Sequence, residues 1–97
     1  MKIIILPSAE GDLADGFEFY ENQGVGLGAY FRESLFSDID SLRLYGGIHG
    51  KVFGYHRLLS KRFPYAVYYS LETETLLVQA VLDCRRDPQR TRKKLAG

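Results

Sequence analysis

The sequence predicts an α+β domain in which a helical hairpin packs on a mainly antiparallel four-stranded sheet and a short C-terminal helix follows. Two runs of β-branched and aromatic residues, 63–69 and 76–82, flank the polar segment Glu72-Thr73-Glu74, which is typical of paired antiparallel strands. Upstream of them, apolar residues recur at helical spacing in two segments. The predicted order is β-α-α-β-β-β-α, and 97 residues are enough for one domain, 1–97, with one core.

The N-terminal segment predicts a strand followed by a helix. Residues 2–6 read as a short buried strand with the apolar run 3–6, and Pro7 suits the first turn of a helix because its missing N–H would have no partner there. Ser8 is the expected capping residue. The helix is expected to bury apolar residues spaced at i, i+4, i+8 and i+11. These residues are Ala9, Leu13, Phe17 and Tyr20.

The glycine-rich segment 23–28 predicts a turn between two helices. It does not follow a strand and lacks the lysine and Ser/Thr pair of a phosphate-binding loop, so nucleotide binding is not favoured. The second helix is expected over residues 27–45 and should end at Gly46-Gly47. Its predicted buried stripe is Phe31, Leu35, Ile39 and Leu42. Three charged residues off this stripe are expected to face solvent: Arg32, Asp38 and Asp40.

The second half of the chain predicts three strands and a basic helix. The first of these strands runs from Val52 to about Lys61, and residues 61–64 form the turn into the central hairpin. The basic segment 88–95 is expected to form the last helix, with Pro88 at its first position. Alternation along the central strand separates its side chains between two faces. Tyr65, Val67 and Tyr69 are expected on one face, and Ala66 and Tyr68 on the other.

Charge is distributed unevenly along the chain. Residues 1–48 carry three basic and eight acidic side chains, a net charge of −5, whereas residues 49–97 carry ten basic and four acidic side chains, a net charge of +6. Such asymmetry indicates either a polyanionic or acidic partner for the basic half, or halves that neutralise each other within the fold. No apolar run approaches the roughly 18 residues of a membrane span, so we expect a cytoplasmic protein without membrane contact.

The residue types that most often carry chemistry are few. His49 and His56 have no acidic or cysteine ligands at metal spacing, so no metal site is expected; a structural role is favoured for His56 over contact with a polyanion. Cys84, the single cysteine, excludes an internal disulfide. Although neighbouring arginines could activate its thiol, we expect it to be buried and inert.

Short motifs spread over nearly the whole chain form a recognisable set, and the most specific of them is the end of the last strand, residues 81–88. The segments are Pro7-Ser8-Ala9-Glu10-Gly11-Asp12-Leu13, Phe19-Tyr20-Glu21, Gly26-Leu27-Gly28, Phe31, Arg57-Leu58, Lys61-Arg62-Phe63-Pro64-Tyr65, Tyr68-Tyr69 and Val81-Leu82-Asp83-Cys84-Arg85-Arg86-Asp87-Pro88. Together they resemble the RelE/ParE superfamily of toxins from bacterial type II toxin–antitoxin systems. The resemblance implies the same β-α-α-β-β-β-α order.

The resemblance implies one of two activities. RelE-like members cleave mRNA on the ribosome with basic residues and a tyrosine or histidine, whereas ParE-like members lack that set and poison DNA gyrase. This chain carries Ala66 where RelE-like nucleases have an arginine, Asp83 where relatives often have a histidine, and no tyrosine after Pro88. Without a positioned general acid or base, catalysis by Arg85 or Arg86 alone would be weak. These departures favour a ParE-like toxin over a ribosome-dependent RNase with a reduced active site.

The resemblance also implies a cognate antitoxin as partner, and DNA gyrase or, alternatively, the ribosome and mRNA as target. A third alternative is a degenerate homologue that binds its antitoxin without further activity. No cofactor is expected. Arg85 and Arg86 are the candidate catalytic residues if the chain is an enzyme, which the departures disfavour. The residues expected to bind target or antitoxin are Arg57, Lys61, Arg62, Arg85, Arg86, Arg90 and Arg92.

Overall fold

The computed structural model describes residues 1–96, which form four helices and a five-stranded sheet. Residue 97, the last of the predicted domain 1–97, lies outside the described residues. Strand order is β1-β5-β4-β3-β2, with β1 parallel to β5 and the other neighbours antiparallel. The elements are β1 (Lys2–Ile5), α1 (Pro7–Glu21), α2 (Leu27–Asp40), α3 (Leu42–Tyr45), β2 (Lys51–Val52), β3 (Tyr55–Leu59), β4 (Tyr65–Glu72), β5 (Thr75–Asp83) and α4 (Pro88–Ala96).

The sheet has five strands where the sequence predicted four, because the segment expected to form one strand folds as two. Phe53 and Gly54 join β2 to β3, and their φ angles are +55° and +86°. Two successive positive φ angles produce the tight turn whose twist matches antiparallel strands. Asn or Gly usually occupies the first position of such a turn, so Phe53 gave no sequence signal for it.

Two details of the helical hairpin differ from the prediction. Ser41 separates α2 from α3, and its Oγ donates to the carbonyl of Asp38 at 2.6 Å, a bond of the kind that competes with regular helix geometry. Pro7 does begin α1, but the prediction of Ser8 as its cap is wrong. The Ser8 hydroxyl donates instead to the carbonyl of Gln79 in β5, at 2.8 Å.

Helices α1, α2 and α3 cover one face of the sheet. The stripe predicted for α2 is buried over its whole length, and Gly16 of α1 lets the ring of Phe31 approach so closely that a Cβ there would overlap it. The sheet residues beneath the helices are Tyr65, Val67, Tyr69, Leu76, Val78 and Val81. The opposite face, which we call the second face, carries the smaller cluster of Ala66, Tyr68, Ala80 and Leu82. The predicted alternation along β4 is therefore confirmed.

Candidate functional site

Two turns at one end of the sheet carry most of the predicted binding residues. The β3–β4 turn meets the β5–α4 turn there, because the N–H of Cys84 donates to the carbonyl of Pro64 at 2.7 Å and Tyr65 pairs with Asp83. Four exposed cations lie on these turns, and we call them the basic rim: Lys61, Arg62, Arg85 and Arg86. Residues 20 or more positions apart in the sequence thus share one edge of the molecule.

Buried contacts hold the β3–β4 turn in place. The Ser60 hydroxyl donates to Oδ2 of Asp38 at 2.6 Å, and the ring of Phe63 lies 4.9 Å from that of Tyr20 and 5.2 Å from that of Phe31. Asp38 is only 5% exposed, so the prediction that it faces solvent is wrong. A buried carboxylate requires a hydrogen-bond donor, and Ser60 supplies one. Lys61, which follows Ser60 directly, is therefore carried by an anchored backbone.

Arg85 is paired with Asp83 within its own turn. Its Nε and Nη2 donate to the two carboxylate oxygens of Asp83 at 3.0 and 2.8 Å, and its backbone N–H donates to Oδ1 at 2.8 Å. The hydrogen bond from Arg85 is the largest of the influences that hold the pKa of Asp83 below its ordinary value. The sequence analysis did not identify Asp83 as a partner of Arg85. This pairing leaves Arg86 as the arginine of the turn whose charge is not offset by a carboxylate within 4 Å among residues 1–96.

The remaining predicted residues lie on either side of the rim. Arg57 pairs with Tyr68 across β3 and β4 and therefore belongs to the second face. Arg90 and Arg92 are exposed on α4, which is held by buried Thr91 and by Leu95 packed on the second-face cluster. Of the predicted cations, Lys61, Arg62, Arg85 and Arg86 therefore share the rim, whereas Arg57 lies in the middle of β3 and Arg90 and Arg92 lie on α4. The binding role of all seven stays a prediction.

A cleft of about 450 Å³ separates the rim from the first helix. Its lining includes Asp12 and Asp15 of α1, together with Phe19, Tyr65, Arg86 and Lys94. Asp12 and Lys94 are paired with each other, so Asp15 and Arg86 are lining charges that form no ion pair within 4 Å among residues 1–96.

Asp12 closes the edge of β5 beyond the end of β1. Strand β1 pairs with β5 only as far as Val78, and past that point Oδ2 of Asp12 accepts the N–H of Val81 at 2.9 Å. The other carboxylate oxygen receives the ammonium of Lys94 from α4. Asp12 is 5% exposed, so a single buried side chain joins α1, β5 and α4. The sequence analysis treated this residue only as part of a motif.

The pKa values of two titratable groups beside the rim, Tyr65 and Cys84, are both raised. Burial raises the pKa of Tyr65 to about 12, with a further contribution from the charge of Asp83. Cys84 is exposed as a residue, so the prediction of a buried cysteine is wrong, yet the partial burial of its thiol raises its pKa. A raised thiol pKa lowers the thiolate fraction at pH 7 and so reduces the reactivity of the cysteine. Tyr65 and Cys84 are therefore poorly suited to proton transfer or nucleophilic attack at neutral pH.

The histidines lie away from the rim. His56 stacks on Tyr69 with ring centroids 5.0 Å apart, and Tyr69 belongs to the helix-covered core. This packing supports the structural role favoured for His56. Across residues 1–96, no three His, Cys, Asp or Glu side chains are grouped to hold a metal ion. None of the helices in the described part of the chain combines the length and apolar character that crossing a membrane requires.

Comparison with known proteins supports the fold. No protein-family model matches the chain, and no curated protein matches it. A chain of a solved structure described as the chromosomal ParDE TA system from P. aeruginosa is similar to it, with a TM-score of 0.72 and 15% sequence identity. The similarity covers 84% of this chain and 92% of that chain. The α+β architecture predicted from the sequence is therefore confirmed and is shared with a chain of a ParDE system.

Proposed function

We propose that this chain is the toxin of a type II toxin–antitoxin system and acts by binding its target, in the manner of ParE-like toxins. The fold shared with a chain of a ParDE system supports the class. The observation that carries the mode of action is the basic rim, where exposed cations converge beside Tyr65 and Cys84, whose pKa values are raised. Cations without a proton donor or acceptor of suitable pKa favour binding over phosphodiester cleavage.

The proposed target is DNA gyrase, and the proposed regulator is an antitoxin encoded by a neighbouring small open reading frame. The net charge of +6 on residues 49–97 favours an acidic antitoxin segment, because charge complementarity accelerates association and discriminates between partners. The Asp83–Arg85 pair limits how much of that charge a partner meets at the rim.

Expression and activity assays separate this proposal from its alternatives. Expression of the chain alone should arrest growth, and co-expression of the neighbouring protein should restore it. The purified chain should inhibit gyrase supercoiling and leave mRNA intact in a translating extract. Cleavage of mRNA that disappears in Arg86→Ala would contradict the proposal and identify a RelE-like RNase. Absence of toxicity together with antitoxin binding would identify a degenerate homologue.

A matched pair of substitutions tests the basic rim. Arg85 and Arg43 are each paired with an aspartate, and their side chains are 57% and 56% exposed. Arg43 lies near Met1, at the opposite end of the sheet. An exposed ion pair between Arg85 and a carboxylate of the antitoxin would contribute roughly 0.2–1 kcal/mol to binding. Arg85→Gln should therefore weaken antitoxin binding by up to about fivefold. Arg43→Gln should leave the Kd unchanged; equal effects of the two substitutions on the Kd would exclude the rim as the binding surface.

A further inference from the structure

The segment 46–50, which we call the strap, joins α3 to β2 and is held against the sheet by side-chain hydrogen bonds. The N–H of Gly47 donates to Oη of Tyr69 at 2.9 Å, and Nδ1 of His49 lies 2.6 Å from the same oxygen. Nδ1 of His56 lies 2.6 Å from the carbonyl oxygen of His49. Tyr69 is fully buried, so the strap is attached to a fixed point of the core.

The hydrogen bonds define the protonation state that this attachment requires. A carbonyl oxygen only accepts, so Nδ1 of His56 carries the hydrogen that it donates to the carbonyl of His49. The Tyr69 oxygen accepts the N–H of Gly47, and we assign its own hydrogen to Nδ1 of His49, the nearest acceptor to it in the strap. Nδ1 accepts only when the imidazole is neutral. In this assignment the docked strap contains neutral His49.

The surroundings of His49 disfavour its charged form. Burial lowers its pKa, and the charge of His56 on β3 lowers it further. The other titratable group in contact with the ring is Tyr69 on β4, and Lys51 on β2 pairs with His56 and adds positive charge to this region. Neither histidine forms an ion pair with a carboxylate among residues 1–96. No carboxylate in residues 1–96 therefore offsets a positive charge on the ring by direct pairing.

We propose that the strap is a pH-sensitive latch. Protonation of His49 turns Nδ1 from an acceptor into an N–H donor, so the Tyr69 hydroxyl loses its acceptor and residues 46–50 are released from the sheet. Release also removes the carbonyl of Gly50 from the N–H of Arg57, which it accepts at 3.0 Å. The edge formed by β2 and β3 then loses a backbone contact beside Arg57. This latch does not depend on the proposed toxin activity and can be tested on the isolated chain.

The direction of the pH effect follows from the lowered pKa. In the open strap His49 titrates near its ordinary value of 6.5, and in the docked strap it titrates lower. Docking is therefore at full strength above pH 6.5 and weakens as the pH falls through the docked-state pKa. Between the two pKa values, the ratio of open to docked strap rises about tenfold for each unit by which the pH falls.

Amide hydrogen exchange on the full chain tests the latch. The protection factor of the Gly47 amide, measured by NMR between pH 7.5 and pH 4.5, should fall with pH, while that of Val67 at the sheet centre should stay constant. A parallel titration of the His49 ring by nitrogen NMR should give a pKa below 6.5. Constant protection at Gly47, or a ring pKa at or above 6.5, would overturn the proposal.

Two substitutions isolate the titrating group. His49→Asn places an amide oxygen near the position of Nδ1 and cannot be protonated in this range, so the protection of Gly47 should become independent of pH. Tyr69→Phe removes the acceptor of the Gly47 N–H and should give low protection at every pH. A decline in His49→Asn equal to that of the unmodified chain would assign the opening to another group and refute the latch.

Discussion

Replacing Asp12 by alanine removes the carboxylate that accepts a hydrogen bond from β5 at Val81, where β5 is no longer paired with β1. The N–H of Val81 then lies buried without an acceptor, which costs about 1–3 kcal/mol. The lost ion pair with Lys94 adds up to about 1 kcal/mol, because the Lys94 side chain is 41% exposed and remains hydrated. The free energy of unfolding should therefore fall by about 1–4 kcal/mol. In a domain of 97 residues this lowers Tm by roughly 5–30 °C.

Urea denaturation followed by circular dichroism measures this loss. Asp15→Ala is the matched control, since Asp15 lies on the same helix and lines the same cleft but is exposed; its effect should stay within about 0.5 kcal/mol. Asp12→Asn retains an oxygen for the Val81 N–H and loses only the ion pair, so it should cost about 1 kcal/mol. If Asp12→Ala were no more destabilising than Asp15→Ala, the bridging role of Asp12 would be refuted.

Two further predictions concern helix packing and the rim. Gly16→Ala should destabilise the domain by about 1–3 kcal/mol because the new methyl group overlaps the Phe31 ring. Gly11→Ala on the same helix places its methyl group in open space and should stabilise the domain by up to about 1 kcal/mol. Equal shifts in Tm for the two variants would contradict the close approach of α1 and α2. The lowered pKa of Asp83 stabilises the folded state above the ordinary aspartate value of 3.8, and this contribution disappears as the pH falls through the folded-state pKa. Stability measured from pH 5 to pH 2.5 should accordingly decline less in Asp83→Asn than in the unmodified chain, and parallel pH profiles would exclude the Arg85 pairing as the cause.

The sequence does contain a signal for two buried residues that the sequence analysis missed, Asp12 and Asp38. Asp12 lies three positions after Ala9, and Asp38 lies three positions after Leu35, so each falls on the buried stripe of its helix. Helical spacing alone would have placed both aspartates inward. The sequence analysis placed Asp38 among the solvent-facing residues and gave Asp12 no buried role, although carboxylates are found buried when they are paired. Their partners, Val81 and Ser60, lie 69 and 22 residues away in the sequence.

The sequence by itself determined the local elements and their order. The stripe of α2, the β4–β5 hairpin and the sides of β4 on which Tyr65 and Ala66 lie follow from periods of 3.6 and 2, which depend only on neighbouring residues. In α1 the same period placed Ala9 and Leu13 correctly, but Phe17 is only half-buried. Composition likewise separated an acidic first half from a basic second half. These properties are local, so no knowledge of the rest of the fold was needed to predict them.

Only the tertiary structure decided how these elements meet. It split the predicted second strand at Phe53, exposed Cys84, paired Arg85 with Asp83 and brought the two basic turns together through the Cys84–Pro64 hydrogen bond. It also turned Ser8 and Asp12 of the first helix toward the unpaired edge of β5. The physical reason is that a buried polar group is stabilised by whichever partner packing brings to it, and periodicity shows which way a side chain faces without showing what it will meet there.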